Sequence, residues 1–113
     1  MKAVVLESFG DSNKSFSIQE VAEPSNLAPD EVLIKVESFG LNFADVMARR
    51  GFYNDAPPLP AILGYDVVGK VHKAGAEKGE FLMGKRVVAM TRFGGYAQYV
   101  KTKISGVVEI GEN

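Results

Sequence analysis

The chain has 113 residues, no cysteine, one histidine and a formal net charge of −1. That length suits one domain able to bury about two thirds of its extended-chain surface. The lack of thiols excludes disulfides, thiolate zinc centres and a cysteine nucleophile, and the single imidazole, His72, excludes a histidine-rich metal site. Acids and bases are interspersed, leaving no electrostatic footprint for nucleic acid. No apolar run approaches the ~20 residues of a membrane span. The opening MKAVVLESFG carries no signal-peptide cleavage pattern, so a cytoplasmic setting is the expectation.

KAVVLESFG is β-branched, apolar and ends in glycine, as a strand running into a turn does. SFSIQEVAEP alternates Phe16 and Ile18 against polar neighbours and stops at Pro24, which predicts a second strand. After a loop, EVLIKVESFG predicts a third, with Val32, Ile34 and Val36 on one face and Leu33 and Lys35 on the other.

A short helix follows in GLNFADVMARRGFY. Asn42 is the N-cap candidate, Asp45 places a negative charge in the first turn, and Gly51 is the stop. Val46 and Met47, four residues after Asn42 and Phe43, predict an apolar stripe along it. Pro57, Pro58 and Pro60 then fix an extended approach to ILGYDVVGKVHKAG, a strand punctuated by Gly64 and Gly69. AGAEKGEFLMGK is a turn-rich connection. KRVVAMTRF and YAQYVKT are strands around Gly94–Gly95 with a hairpin-type break, and SGVVEIGEN closes with a last short strand.

Six to eight short strands with turn signals every eight to twelve residues predict a mainly β domain, a compact barrel or sandwich. No G-x-G-x-x-G turn opens a long helix and no phosphate loop with its lysine is present.

This order of segments resembles the N-terminal GroES-like domain of the medium-chain dehydrogenase/reductase superfamily, in the branch of the zinc-free quinone oxidoreductases and the synaptic vesicle amine transport protein. The resemblance is carried by MKAVVLESFG, PDEVLIKVESFGLNFADVMARRGFY, PPLPAILGYDVVGKV and GKRVVAM…FGGYAQYV. It implies a partly open GroES-like β-barrel with one or two short helices, spanning residues 1–113 as the substrate-side catalytic domain. A Rossmann domain that binds NADP is implied beyond it, so the chain alone is expected to be inactive.

In the zinc alcohol dehydrogenases the turn before the helix supplies a cysteine ligand and the segment similar to GYDVVG a histidine ligand. Here those positions hold Asn42 and Tyr65, the proton-relay hydroxyl corresponds to Ala44, and the four-cysteine structural lobe is missing. An amide and a phenol make poor zinc ligands without thiolate or imidazole beside them. The resemblance therefore implies a zinc-independent reductase that moves hydride from NADPH to a quinone or an α,β-unsaturated carbonyl, in a protein that pairs as a homodimer. The alternative is a GroES-like module reused for interaction without catalysis.

Each candidate has an ordinary structural role beside its functional one. Asn42 caps a helix or faces the nicotinamide and substrate. Asp45 compensates the helix dipole or orients the cofactor-side turn. Tyr53 is a half-buried aromatic, or a lid over the nicotinamide or a phenol that hydrogen-bonds the acceptor oxygen; Tyr65 is packing, or a phenol in the cleft. Asp66 is structural, and His72 is a solvent-exposed histidine. Arg49 and Arg50 suit the helix C-terminus. Phe93, Tyr96 and Tyr99 are core and edge packing. Lys85 and Gly111 depart from the family pattern outside the cleft.

Overall fold

The computed structural model describes residues 1–111. Seven strands and two short helices follow in the order β1 (Lys2–Leu6), α1 (Ser12–Ser15), β2 (Phe16–Glu20), β3 (Glu31–Phe39), α2 (Phe43–Arg50), β4 (Asp66–Ala74), β5 (Arg86–Met90), β6 (Tyr99–Lys103) and β7 (Val107–Glu109). The connection between β4 and β5 folds into a 3-10 helix, Glu77–Leu82, where the sequence predicts only turns.

Five strands form one antiparallel sheet in the order β6-β3-β4-β5-β7, while β1 and β2 pair as a separate hairpin. The sheet curls until its two edges approach. A 3-10 turn, Ile104–Gly106, connects β6 to β7, and the Thr102 hydroxyl donates to the Met90 carbonyl at 2.9 Å across the seam. β6 is joined to β7 by a turn and to the end of β5 by a side chain, with no β6–β7 ladder among the described residues. This is the mainly β, partly open barrel of the expectation.

The core is where the alternation of β3 places it. Val32 and Ile34 are fully buried with Val67, Val71, Val87 and Val100. Each such side chain contributes about 1.5–3 kcal/mol relative to an exposed one. Leu33, on the other face of β3, is also buried, because this end of the strand is covered on both sides. A second cluster, Leu6, Ala48, Ala61, Leu63 and Tyr96, lies between β1, α2 and the segment entering β4.

Three local expectations are corrected. β5 and β6 are not hairpin partners: β6 pairs with β3 and β5 with β4 and β7, because residues 91–96 fold back onto residues 62–65. Ile18 is 75% exposed, since β2 is a hairpin edge with nothing packed over that position. The buried face of α2 is Asp45 and Ala48, and Phe43 at the head of the predicted stripe is 76% exposed. Ala48 is small enough to let the helix backbone close onto the Leu6–Leu63 cluster, and that contact decides which face turns inward.

Candidate functional site

The turn between β3 and α2 is built by one carboxylate. Asn42 takes the extended N-cap conformation, φ −121° and ψ 154°. Asp45 Oδ2 accepts the Asn42 N–H at 3.1 Å, so the third helical residue reaches back to the cap. Its other oxygen, Oδ1, accepts the Gly64 N–H at 3.1 Å from the segment leading into β4. Asp45 is only 5% exposed, and a carboxylate is tolerated at that depth when charge-assisted hydrogen bonds replace water. Both oxygens are thus committed to backbone donors. Asp45 holds the helix mouth against the neighbouring strand. At the far end Gly51 is left-handed at φ 82°, and the N–H groups of Gly51 and Phe52 close the helix on Ala48 and Met47.

Asp66 is structural, as expected, and its partners lie across the strand boundary. Its Oδ1 accepts the Gly40 N–H at 3.2 Å and the Asn42 side-chain amide at 3.4 Å. The start of β4 is therefore clipped to the end of β3 next to the helix mouth. Asn42 faces Asp66, and through the Asp45–Gly64 bond it is connected to the backbone that carries Tyr65.

Tyr65 forms a second wall. Its ring lies 6.3 Å from that of Tyr53 and 5.2 Å from that of Phe93, both tilted. Tyr53 and Tyr65 are half-buried, but the Tyr65 hydroxyl itself is buried and has no hydrogen-bond partner among the described residues. Burial pushes the Tyr65 phenol well above its ordinary range; the Tyr53 hydroxyl, close enough to act on it though not in hydrogen-bond geometry, and the Asp45 charge add to this, and Arg92 opposes it. Tyr65 is therefore a neutral donor at physiological pH.

The backbone under Tyr65 is held closely. Gly94 and Tyr96 N–H groups donate to the Ile62 and Leu63 carbonyls at 3.0 Å each, and Thr91 N–H donates to the Tyr65 carbonyl at 2.7 Å. Gly64 sits at φ +105°, and a Cβ there would lie 2.8 Å from the Tyr96 nitrogen, so only glycine lets these segments close. Tyr96, 6% exposed, presents its phenol toward Asp45. Burial first, and then a hydrogen bond and the charge of Asp45, drive its pKa far upward.

The sequence-derived residues thus fall into two groups with a shared hinge. Asn42 and Asp45 line a largely apolar cavity of about 300 Å³ with Phe39, Leu41, Arg49 and Tyr96. Gly40 and Asp66 border a neighbouring cavity of about 290 Å³. Tyr53 and Tyr65 line neither of these two; they meet each other and Phe93, and reach Asn42 only through Asp45, Gly64 and Asp66. His72 is exposed on β4 beside Tyr99. The Arg49 guanidinium donates to the Gly10 carbonyl, tying α2 to the β1–β2 connection, and Arg50 is exposed. Among the described residues no group of three or more His, Cys, Asp or Glu side chains is placed to hold a metal, and no helix is long and apolar enough to cross a membrane.

Residues 28–112 match the alcohol dehydrogenase GroES-like domain. The chain is 33% identical to the mouse synaptic vesicle membrane protein VAT-1 homolog-like, over all of this chain and 27% of that protein. It is 38% identical to rat quinone oxidoreductase-like protein 2, over 86% of this chain and 27% of that one. Among solved structures, the human VAT-1 homolog-like protein superposes with a TM-score of 0.91 at 34% identity, covering 100% of this chain and 36% of that chain. The quinone oxidoreductase from Thermus thermophilus, solved also in complex with NADPH, does so with a TM-score of 0.78 at 31% identity, covering 99% and 33%. The chain therefore spans about a quarter of the length of the curated relatives it matches.

Proposed function

As the chain belongs to the alcohol dehydrogenase GroES-like domain family, an oxidoreductase-type domain, we propose that it forms the substrate-side wall of a zinc-independent, NADPH-dependent reductase acting on a quinone or an α,β-unsaturated carbonyl. The observation that carries this reading is the buried, unpartnered Tyr65 hydroxyl in an aromatic setting of Tyr53 and Phe93. Leaving a buried hydroxyl without a partner costs about 1–3 kcal/mol, and such a group invites a ligand acceptor.

NADPH, when bound, would supply the hydride; its phosphates would be held mainly by a further domain, since this chain has no phosphate loop. The donor types at the helix mouth and the neighbouring wall fit the uncharged nicotinamide end: Asn42 offers an amide and Tyr53 a phenol, on a site oriented by Asp45. In an enone the hydride adds at the β-carbon and the carbonyl π electrons move to oxygen. The Tyr65 O–H would donate to that oxygen as charge builds, and a proton from water would complete the saturated ketone. With a quinone, one hydride and one proton give the hydroquinone. An acceptor already activated by conjugation needs alignment and one donor at its oxygen, which a neutral phenol provides without a Lewis acid.

The interaction-module reading has its own observation. Leu41, Phe43 and Phe52, around α2, are 81%, 76% and 70% exposed, and apolar surface of this kind can dock a partner. NADPH consumption with a quinone and enone panel separates the two readings. A polypeptide extended to the relatives' length should turn over and lose most activity as Tyr65→Phe, while the 113-residue chain alone stays inactive. NADPH binding with no turnover on any acceptor would favour the interaction module.

A further inference from the structure

We propose that Thr91 is a positioning residue for the Tyr65 phenol, acting as a two-point clamp on the backbone beneath it. The proposal rests on the reading above for the importance of Tyr65, but its geometry stands without it. Thr91 Oγ1 donates to the Gly64 carbonyl at 2.9 Å, and Thr91 N–H donates to the Tyr65 carbonyl at 2.7 Å. One residue thus holds two consecutive peptide groups, the pair that flanks the Tyr65 α-carbon.

Gly64 is gripped from opposite directions. Its N–H goes to Asp45 on α2, and its carbonyl takes the Thr91 hydroxyl from the β5–β6 connection. Gly64 lies at φ +105°, a region where the chain has no stable strand or helix ladder of its own to hold it. The direction in which Tyr65 leaves this residue is therefore set by the groups on either side. Of the bonds that stitch residues 91–96 to 62–65, the Thr91 hydroxyl is the side-chain one and can be removed without touching the backbone.

The same residue aims the ring's neighbour. Phe93, two residues on, packs 5.2 Å from the Tyr65 ring, and Arg92 between them is left-handed at φ 66°, a turn that reverses the chain toward Tyr65. Thr91 is thus the anchor for both the Tyr65 backbone and the loop that carries Phe93.

Thr91→Val keeps the shape and removes the hydroxyl. The Gly64 carbonyl still accepts from the Gly95 N–H at 3.2 Å, so the variant keeps a satisfied carbonyl and is expected to fold. The test is carbon-13 NMR of tyrosine-labelled chain, with the urea midpoint measured on the same samples. The Tyr65 ring signals should shift by more than a linewidth in Thr91→Val, with the Tyr99 signals unmoved, and Thr91→Ser should restore them. Signals of Tyr65 unchanged in Thr91→Val would overturn the proposal. So would equal shifts in Tyr65 and Tyr99, which mark a general loosening, or failure of Thr91→Ser to restore what Thr91→Val lost. Because the readout is the place of a ring in the isolated chain, a negative reductase assay would leave this result standing.

Discussion

Replacing Asp45 by asparagine tests the arrangement at its hinge. The side chain keeps its size, but one of two acceptor oxygens becomes an NH2 group. Each oxygen now receives a backbone N–H at 3.1 Å, from Asn42 and from Gly64. Whichever way the amide turns, a donor faces a donor. A hydrogen bond to a charged group contributes about 1.5–3 kcal/mol, and the buried N–H left behind costs about 1–3 kcal/mol. The surviving bond is also weakened, because its acceptor is no longer ionised. Loss of a buried charge returns part of its desolvation cost, so the expected net destabilisation is about 2–4 kcal/mol. That is a large share of the roughly 5–15 kcal/mol that holds a domain together. With an m-value of about 1–3 kcal/mol per molar urea, the midpoint should fall by roughly 1–2 M at unchanged slope. Amide hydrogen exchange should show Gly64 losing more protection than Val32 or Val87. A midpoint shift under about 0.3 M, or uniform loss of protection, would refute the claim that Asp45 is the tie between helix and strand.

The isolated chain should respond to Tyr65→Phe in the opposite sense. Removing a buried hydroxyl that has no partner should leave stability unchanged or raise it by up to about 1 kcal/mol, and thermal unfolding of the two proteins reads this directly; a loss above that size would mean that the hydroxyl is bonded in solution. The alkaline limb of stability follows from Tyr65 and Tyr96, whose folded-state pKa values are both raised, chiefly by burial. For a raised pKa the stabilising contribution is complete below the unfolded value, about 10, and is lost as pH rises from there toward the folded value. Urea midpoints should therefore be flat through neutral pH and decline above about 10. Because Tyr65 contributes to that decline, Tyr65→Phe should make it shallower. In Asp45→Asn the Tyr96 phenol should titrate at lower pH than in the native chain, while still above its ordinary range, as followed by ultraviolet difference spectra.

Much of the architecture was legible because it depends on local period and punctuation. Val32 and Ile34 alternate and are among the deepest residues of the sheet; Asn42 and Gly51 bracket α2 at both ends. What sequence could not give was long-range partner choice. The stretch around Gly94–Gly95 has the composition of a hairpin turn, but its N–H groups are used on residues 62–64, so β5 and β6 part company. The helix stripe was misjudged for a related reason: the inward face is set by Ala48 closing on the Leu6–Leu63 cluster and by Asp45 accepting the Gly64 N–H, long-range partners that no pattern within the helix encodes. In the candidate site, Asn42 and Tyr65 were singled out through resemblance. Asp66 and Thr91 needed coordinates, since an aspartate opening a strand and a threonine closing one look ordinary until their acceptors and donors are seen.

The pairing of residues 91–96 with 62–65 has a bearing on how the helix mouth and the Tyr65 wall come together. The helix mouth, the entrance to β4 and the return from β5 are far apart in sequence, and the Asp45–Gly64 and Thr91–Gly64 bonds join them. Their mutual placement therefore reports on completion of the fold and not on any one segment.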